Sequence, residues 1–148
     1  MGMQLEQTID VAAPPDRVWQ VLIDVERWHE WTRSISSVER LDSGPFVLGS
    51  RARVMQPRLS PALFEVTAFE PGRSFTWAAR SSGIAAVAVH SVEPIPSGSR
   101  VKLGLNLEGW PLLVLGWWAR RISIRYMTME AEGLKRRAEG GEVPPDPP

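Results

Sequence analysis

Between Met3 and Val11 the chain alternates, with Met3, Leu5, Ile9 and Val11 on one face and Gln4, Glu6, Thr8 and Asp10 on the other; only Gln7 is out of step. A period of two marks a half-buried strand, and Ala12-Ala13-Pro14-Pro15-Asp16 closes it. Val18, Trp19, Leu22 and Ile23 then recur at helical spacing, with Pro14 and Pro15 placed for a first turn. Asp24–Trp31 reads as a second, shorter helical piece on which Trp28 and Trp31 share a face at i, i+3. Beyond Thr32 the pattern turns to sheet. Ile35–Leu41 and Ser50–Gln56 are short strand candidates around the turn-forming Asp42-Ser43-Gly44-Pro45. Ala62–Phe69 sets Phe64, Val66 and Ala68 against Glu65 and Thr67, and Ser74–Arg80 sets Phe75, Trp77 and Ala79 against Ser74, Thr76 and Arg80. Ile84–Glu93 is a further strand, ended by Pro94-Ile95-Pro96-Ser97-Gly98, and Val101, Leu103, Leu105 and Leu107 share one face of the clearest alternation. From Pro111 to about Ala138 the period becomes helical, with Leu115, Ala119, Ile122, Tyr126, Met129 and Gly133 on one stripe and Arg121, Arg125, Glu132 and Arg136 on a polar one.

One strand, two short helices, about six strands in meander and one long helix predict an α+β fold. The sheet is antiparallel, because a meander pairs that way. It curves around the terminal helix, the one element long enough to cover its apolar face. A hollow where sheet and helix diverge is the expected place for a site. Residues 1–138 form a single domain in this reading, and the Pro/Gly-rich stretch 139–148 is an expected disordered tail.

Composition narrows the chemistry. The 148 residues carry 17 basic and 17 acidic side chains, so no global field recruits nucleic acid or an anionic surface. The absence of cysteine removes disulfides, thiolate nucleophiles and Cys-ligated metals. Two histidines some sixty residues apart give no metal-ligand set, and no glycine pattern suits a nucleotide, so neither metal nor cofactor is expected. The first residues lack the basic and apolar regions of a secretory signal, and the expected location is cytoplasmic. Seven tryptophans against one tyrosine suit either a bulky core or a wide aromatic-lined pocket.

The order of elements resembles the helix-grip fold of the START/Bet v 1-like (SRPBCC) superfamily, which includes START lipid-transfer domains, the birch-pollen allergens and the polyketide cyclase/dehydrase group. Ile9-Asp10-Val11-Ala12-Ala13-Pro14-Pro15-Asp16-Arg17-Val18-Trp19 is similar to that family's opening, and Asp24–Trp31 to its second helix. Val66–Trp77 resembles its mid-sheet turn, and His90-Ser91-Val92-Glu93-Pro94 with Gly98-Ser99-Arg100-Val101 its last hairpin. The resemblance spans Met3 to about Ala138 and implies binders of lipids, sterols, quinones or polyketides, aromatase/cyclases, or co-chaperone-like proteins. Fold alone does not choose among these.

Few residues can carry chemistry. His29, between Glu26 and Glu30, reads as exposed, whereas His90 shares parity with Ala86, Ala88 and Val92 on the expected concave face. There it is a general acid/base, a donor to a ligand carbonyl, or a satisfied core histidine. Glu65, Glu93 and Glu108 fall on outward parity, leaving Arg51, Arg53 and Tyr126 as polar auxiliaries. The expected ligand-binding set is Trp31, Arg53, Phe64, Val66, Phe75, Trp77, Ala88, His90, Leu103, Leu105, Leu115, Trp118, Ile122 and Tyr126. Trp28 and Trp31 either close a cavity mouth or anchor their helix. The uncharged Gly109–Ala119 suits burial, a dimer interface or a lip that touches membrane while a lipid loads.

Three functions fit. The first is binding or carriage of a hydrophobic small molecule, as a monomer or homodimer with transient membrane contact. The second is a cyclase or dehydratase using His90, and the third a protein-interaction module docking through the start of the terminal helix. Sparse titratable groups favour binding. A carboxylate or second polar group within reach of His90 would strengthen the enzyme reading.

Overall fold

A computed structural model describes residues 2–140. The order is β1 (Gly2–Val11), α1 (Pro15–Ile23), a 3₁₀ segment (Val25–Glu30), β2 (Ser37–Arg40), β3 (Arg51–Met55), β4 (Ala62–Glu70), β5 (Ser74–Ser81), β6 (Ile84–Ile95), β7 (Gly98–Glu108) and α2 (Leu112–Gly140). The seven strands form one antiparallel sheet in the order β1-β7-β6-β5-β4-β3-β2, so the first strand closes onto the last. This is the helix-grip α+β fold expected from the pattern. The terminal helix runs two residues past the expected domain limit, through Glu139 and Gly140, and residues 141–148 of the expected tail lie outside the described residues.

Strand alternation places the core. In β1 the out-of-step Gln7 stays on the inner face and donates from Nε2 to the Ile124 carbonyl (3.2 Å) and to Thr128 Oγ1 (2.8 Å), so the irregularity in the pattern is a tie to α2. In β4 the expected alternation breaks. Val66 pairs with Trp77 and Ala68 with Thr76, so Thr67 is an extra, unpaired residue. That bulge exchanges the faces: Ala68 points outward instead of joining Phe64 and Val66, and Phe69 turns inward onto Trp19, 5.7 Å between ring centroids. At the β5–β6 turn Ser82 and Gly83 both take positive φ (53° and 81°), the twist a two-residue hairpin needs.

The expected stripe of α2 is correct in its middle and shifted near its end. Ala119 and Ile122 are buried, but Met127, Ala131 and Leu134 carry it onward, with Met129 only half-buried. The steps 119, 122, 127, 131 and 134 follow the 3.6-residue period of a straight helix, which drifts away from an unbroken three–four alternation. Gly133 lies against the backbone carbonyl of Trp31, where a β-carbon would collide with it. The C-terminal turns are held by polar ties: Arg137 Nη2 donates to Glu30 (2.8 Å), Lys135 Nζ to the Asp10 carbonyl (2.9 Å), and the Ala12 N–H to Glu139 (2.7 Å).

Two predictions follow from these contacts. Gly133→Ala forces backbone apart at a packed crossing and is expected to cost roughly 1–3 kcal/mol in urea unfolding. The Arg137 guanidinium holds the Glu30 carboxyl below its usual range, and the Ala12 N–H with Lys135 does the same for Glu139. Depressed carboxylates contribute stability above the ordinary range and lose it as pH falls through their folded values. Tm is therefore expected to hold from neutrality to about pH 5 and to drop below about pH 4, with Glu30→Gln flattening the drop.

Candidate functional site

Side-chain size divides the space between sheet and α2. At the α1 end the inner face carries Phe75, Trp77 and Phe64, and these pack with Phe46 and Trp28 into an aromatic cluster: Phe46–Phe75 centroids are 5.0 Å apart, Phe64–Trp77 4.9 Å and Trp28–Trp77 5.3 Å. At the other end β4, β5 and β6 carry Ala62, Ala79, Ala86 and Ala88, whose side chains are too short to reach the helix. A cavity of about 360 Å³ opens there, within the roughly 300–1,000 Å³ of small-molecule sites. Its rim is the β3–β4 loop (Arg58, Leu59, Ser60), the β5–β6 turn (Ser81, Ser82) and the start of α2 (Pro111, Leu115, Trp118). Ser60 and Ser82 hydroxyls meet at 3.1 Å, and the Tyr126 hydroxyl donates to the Pro57 carbonyl, tying α2 to the β3–β4 loop.

His90 marks the inner end of the cavity. It is 4% exposed, its ring stacked on Phe75 at 4.4 Å and 14° and flanked by Trp28 at 5.3 Å. From α2, Glu130 brings Oε1 to 3.3 Å from His90 Nε2. The contact is close but out of line for a hydrogen bond. Among the described residues His90 Nδ1 and Glu130 Oε1 are both buried without hydrogen-bond partners. A carboxylate facing Nε2 favours the tautomer protonated there and leaves Nδ1 as the free base. The pair can hold a ligand oxygen or move a proton on one.

Ten of the fourteen expected residues line this cavity: Phe64, Trp77, Ala88, His90, Leu103, Leu105, Leu115, Trp118, Ile122 and Tyr126. Four do not. Arg53 points outward, 3.8 Å from Glu39, because Ala52 and Val54 take the inner face of β3; Arg51 is exposed with it. Val66 and Phe75 face inward but are covered by the aromatic cluster, at 1% and 0% exposure, and Phe75 backs the histidine. Trp31 caps the 3₁₀ segment, packs against Trp28 in a tilted pair at 5.7 Å and 54°, and is not among the residues lining the cavity. Trp31 is the C-cap, outside the regular turns of Val25–Glu30, so it does not share the inward direction of Trp28. Trp28 and Trp31 thus anchor their segment instead of closing the mouth, with Trp28 Nε1 donating to the Leu22 carbonyl (3.1 Å).

Sequence reading missed Trp28 as a lining residue and Glu130 altogether. The signal for Glu130 was its spacing: it lies four residues beyond Tyr126 and eight beyond Ile122, on the cavity side of α2. A second hollow of about 470 Å³ sits behind Trp31, lined by Arg17, Arg27, Arg40 and Arg137. It is polar, and Arg40 and Arg137 are committed to Asp42 (3.0 Å) and Glu30 (2.8 Å), so it does not suit an apolar ligand. Among the described residues no three or more His, Asp or Glu side chains gather to hold a metal, and no helix is long and apolar enough to cross a membrane.

The family described as polyketide cyclase/dehydrase and lipid transport matches residues 3–139. No curated protein matches the chain. Among solved structures it is similar to the ZhuI aromatase/cyclase of Streptomyces sp. R1128, at 18% identity and TM-score 0.80 over 94% of each chain. It is also similar to a START superfamily protein of Mycobacterium smegmatis, at 18% identity and TM-score 0.75 over 94% of this chain and 99% of that one. One half of the di-domain aromatase/cyclase StfQ of the steffimycin pathway gives 14% identity and TM-score 0.77, covering 95% of this chain and 52% of that one.

Proposed function

The chain belongs to the polyketide cyclase/dehydrase and lipid-transport family, and we propose from that premise that it binds a hydrophobic small molecule in the cavity between sheet and α2. The observation that carries this reading is an apolar cavity of about 360 Å³ lined by the side chains of His90 and Glu130, whose Nδ1 and Oε1 are buried without hydrogen-bond partners among the described residues. Burial of apolar ligand surface supplies affinity at about 25 cal/mol per Å². A polar buried atom left unpaired costs about 1–3 kcal/mol, so a ligand oxygen meeting His90 Nδ1 gains both affinity and a fixed orientation. The ligand is therefore an apolar body, such as a polyketide, hydroquinone or lipid fragment, with a hydroxyl that donates to His90 Nδ1 leading into the cavity. Native mass spectrometry of the purified protein is expected to retain such a molecule and to lose it on denaturation. Ala88→Phe fills the space and is expected to cut uptake of a naphthyl fluorophore at least about tenfold without lowering Tm. Unchanged uptake in that variant would remove the cavity from the reading.

A second reading, catalysis, draws support from one distance, the 3.3 Å between His90 Nε2 and Glu130 Oε1. An inward carboxylate beside the histidine is what acid–base chemistry on a polyketone needs. His90 Nδ1 would take the proton α to a ligand carbonyl; the imidazolium, steadied by Glu130, would return it to a β-hydroxyl that departs as water, leaving the carbon–carbon double bond. Proton transfer from a positioned side chain contributes about 10²–10⁴-fold. In deuterated buffer the protein is expected to speed exchange at the α-carbon of a bound aromatic methyl ketone, read by NMR. His90→Gln should abolish that acceleration, and Glu130→Gln should move its pH profile while leaving ketone affinity in place. Exchange at the buffer rate with the ketone bound would leave carriage alone.

A further inference from the structure

The cavity mouth is bordered by a surface that the cavity itself does not use. At the start of α2, Trp110, Leu113, Val114 and Trp117 are 72%, 70%, 80% and 74% exposed, and none of them lines the cavity. Leu115 and Trp118, on the same turns, face the mouth. One side of Gly109–Ala119 closes the cavity and the other stands in solvent, so burial alone does not account for this uncharged stretch. Isolated exposed apolar residues are ordinary, but four large ones within eight positions mark an interaction surface.

The charge around this patch selects its occupant. The chain as a whole is neutral, yet the segments that meet at the mouth carry Arg58, Arg80, Arg120, Arg121 and Arg125, with no acidic residue between Gly109 and Met129, or in the stretches 56–62 and 74–92. Glu108, Glu93 and Glu130 stand at the ends of these segments, and Glu130 faces the cavity rather than the patch. The Arg121 guanidinium lies 5.6 Å over the Trp117 ring, joining the apolar and cationic parts. The arginines begin about one to two turns beyond Val114, roughly 10 Å along the helix axis, comparable to the depth to which interfacial elements sink into a bilayer. Exposed tryptophans capped by arginines suit the lipid–water boundary, where indole and guanidinium both find partners. A second copy of this chain fits poorly, because a two-fold contact through this patch would bring two sets of Arg120, Arg121 and Arg125 to the rim of one interface, with no carboxylate in Gly109–Met129 to offset them.

We propose that the start of α2, Trp110–Trp117, is a lip that inserts into an anionic lipid surface and sets the cavity mouth against the bilayer. An apolar ligand then passes between membrane and cavity without crossing water. This rests on the carrier reading above, but its test is separate.

The full chain is sedimented with phosphatidylcholine vesicles and with equimolar phosphatidylcholine/phosphatidylglycerol vesicles at low and high salt. Binding to the anionic vesicles, weakened by salt, is expected. The double substitution Val114→Glu, Trp117→Glu should reduce it at least about tenfold while Tm and naphthyl-fluorophore uptake in solution stay unchanged; Arg120→Glu with Arg121→Glu should do the same by removing the charge. Fluorophore uptake without vesicle binding overturns the lip and leaves carriage standing, and vesicle binding without uptake overturns carriage and leaves the lip. A dimer seen by light scattering and broken by Val114→Glu, Trp117→Glu overturns the lip in favour of self-association.

Discussion

The stacking of His90 on Phe75, inside the aromatic cluster of Phe46, Phe64, Trp28 and Trp77, is the contact on which the rest of the architecture depends. A sheet curved around one helix encloses more volume than the helix can fill. Aromatic rings fill one half of that volume and alanines leave the other half open. The boundary between the halves runs through His90, whose cross-strand partners are Phe75 on β5 and Leu103 on β7. The cavity thereby has a rigid inner end with one histidine fixed in orientation, and its depth is set by ring size rather than by a loop.

The same arrangement explains how a nearly apolar interior tolerates its polar atoms. Near the C-terminal end of α2 two charges are paired: buried Arg137 with Glu30 and half-buried Lys135 with Glu139. These ties fix the rotation of the C-terminal turns, and Gly133 allows them to approach the Trp31 carbonyl. With that end of the helix held, Glu130 is carried to the His90 side chain. The polar ties at the C-terminal end of α2 therefore determine what faces the cavity one to two turns earlier.

Much of the fold was legible because period-two and period-3.6 patterns are imposed locally by which face is wet. The meander, the long helix and the inward parity of His90 follow from those periods, whereas the pairing of β1 with β7 does not. Thr67 was not legible: a bulge changes no composition, only the count of residues between two pairs, and it reversed Ala68 and Phe69. Arg53 was assigned to the site as a wanted polar partner, against the alternation of its own strand. Glu130 was overlooked for the opposite reason, since a carboxylate on a helix rich in arginines resembles one more solvated charge. Separating the two required the rotation of α2, which Gly133 and the C-terminal ties set by long-range contact.

The polarity of the cavity along its length gives the ligand a direction. His90 and Glu130 stand at the closed end, Leu115 and Trp118 at the open one. A molecule with one oxygenated end enters oxygen first, because the reverse orientation would leave buried polar atoms unpaired and wet the apolar mouth. A membrane offers the opposite ordering, with oxygens at its surface and hydrocarbon beneath. A ligand resting there presents its oxygenated end outward, toward a mouth held at the headgroup level by the start of α2. The orientation favoured by the lipid is then the one the cavity needs, and transfer requires translation without inversion.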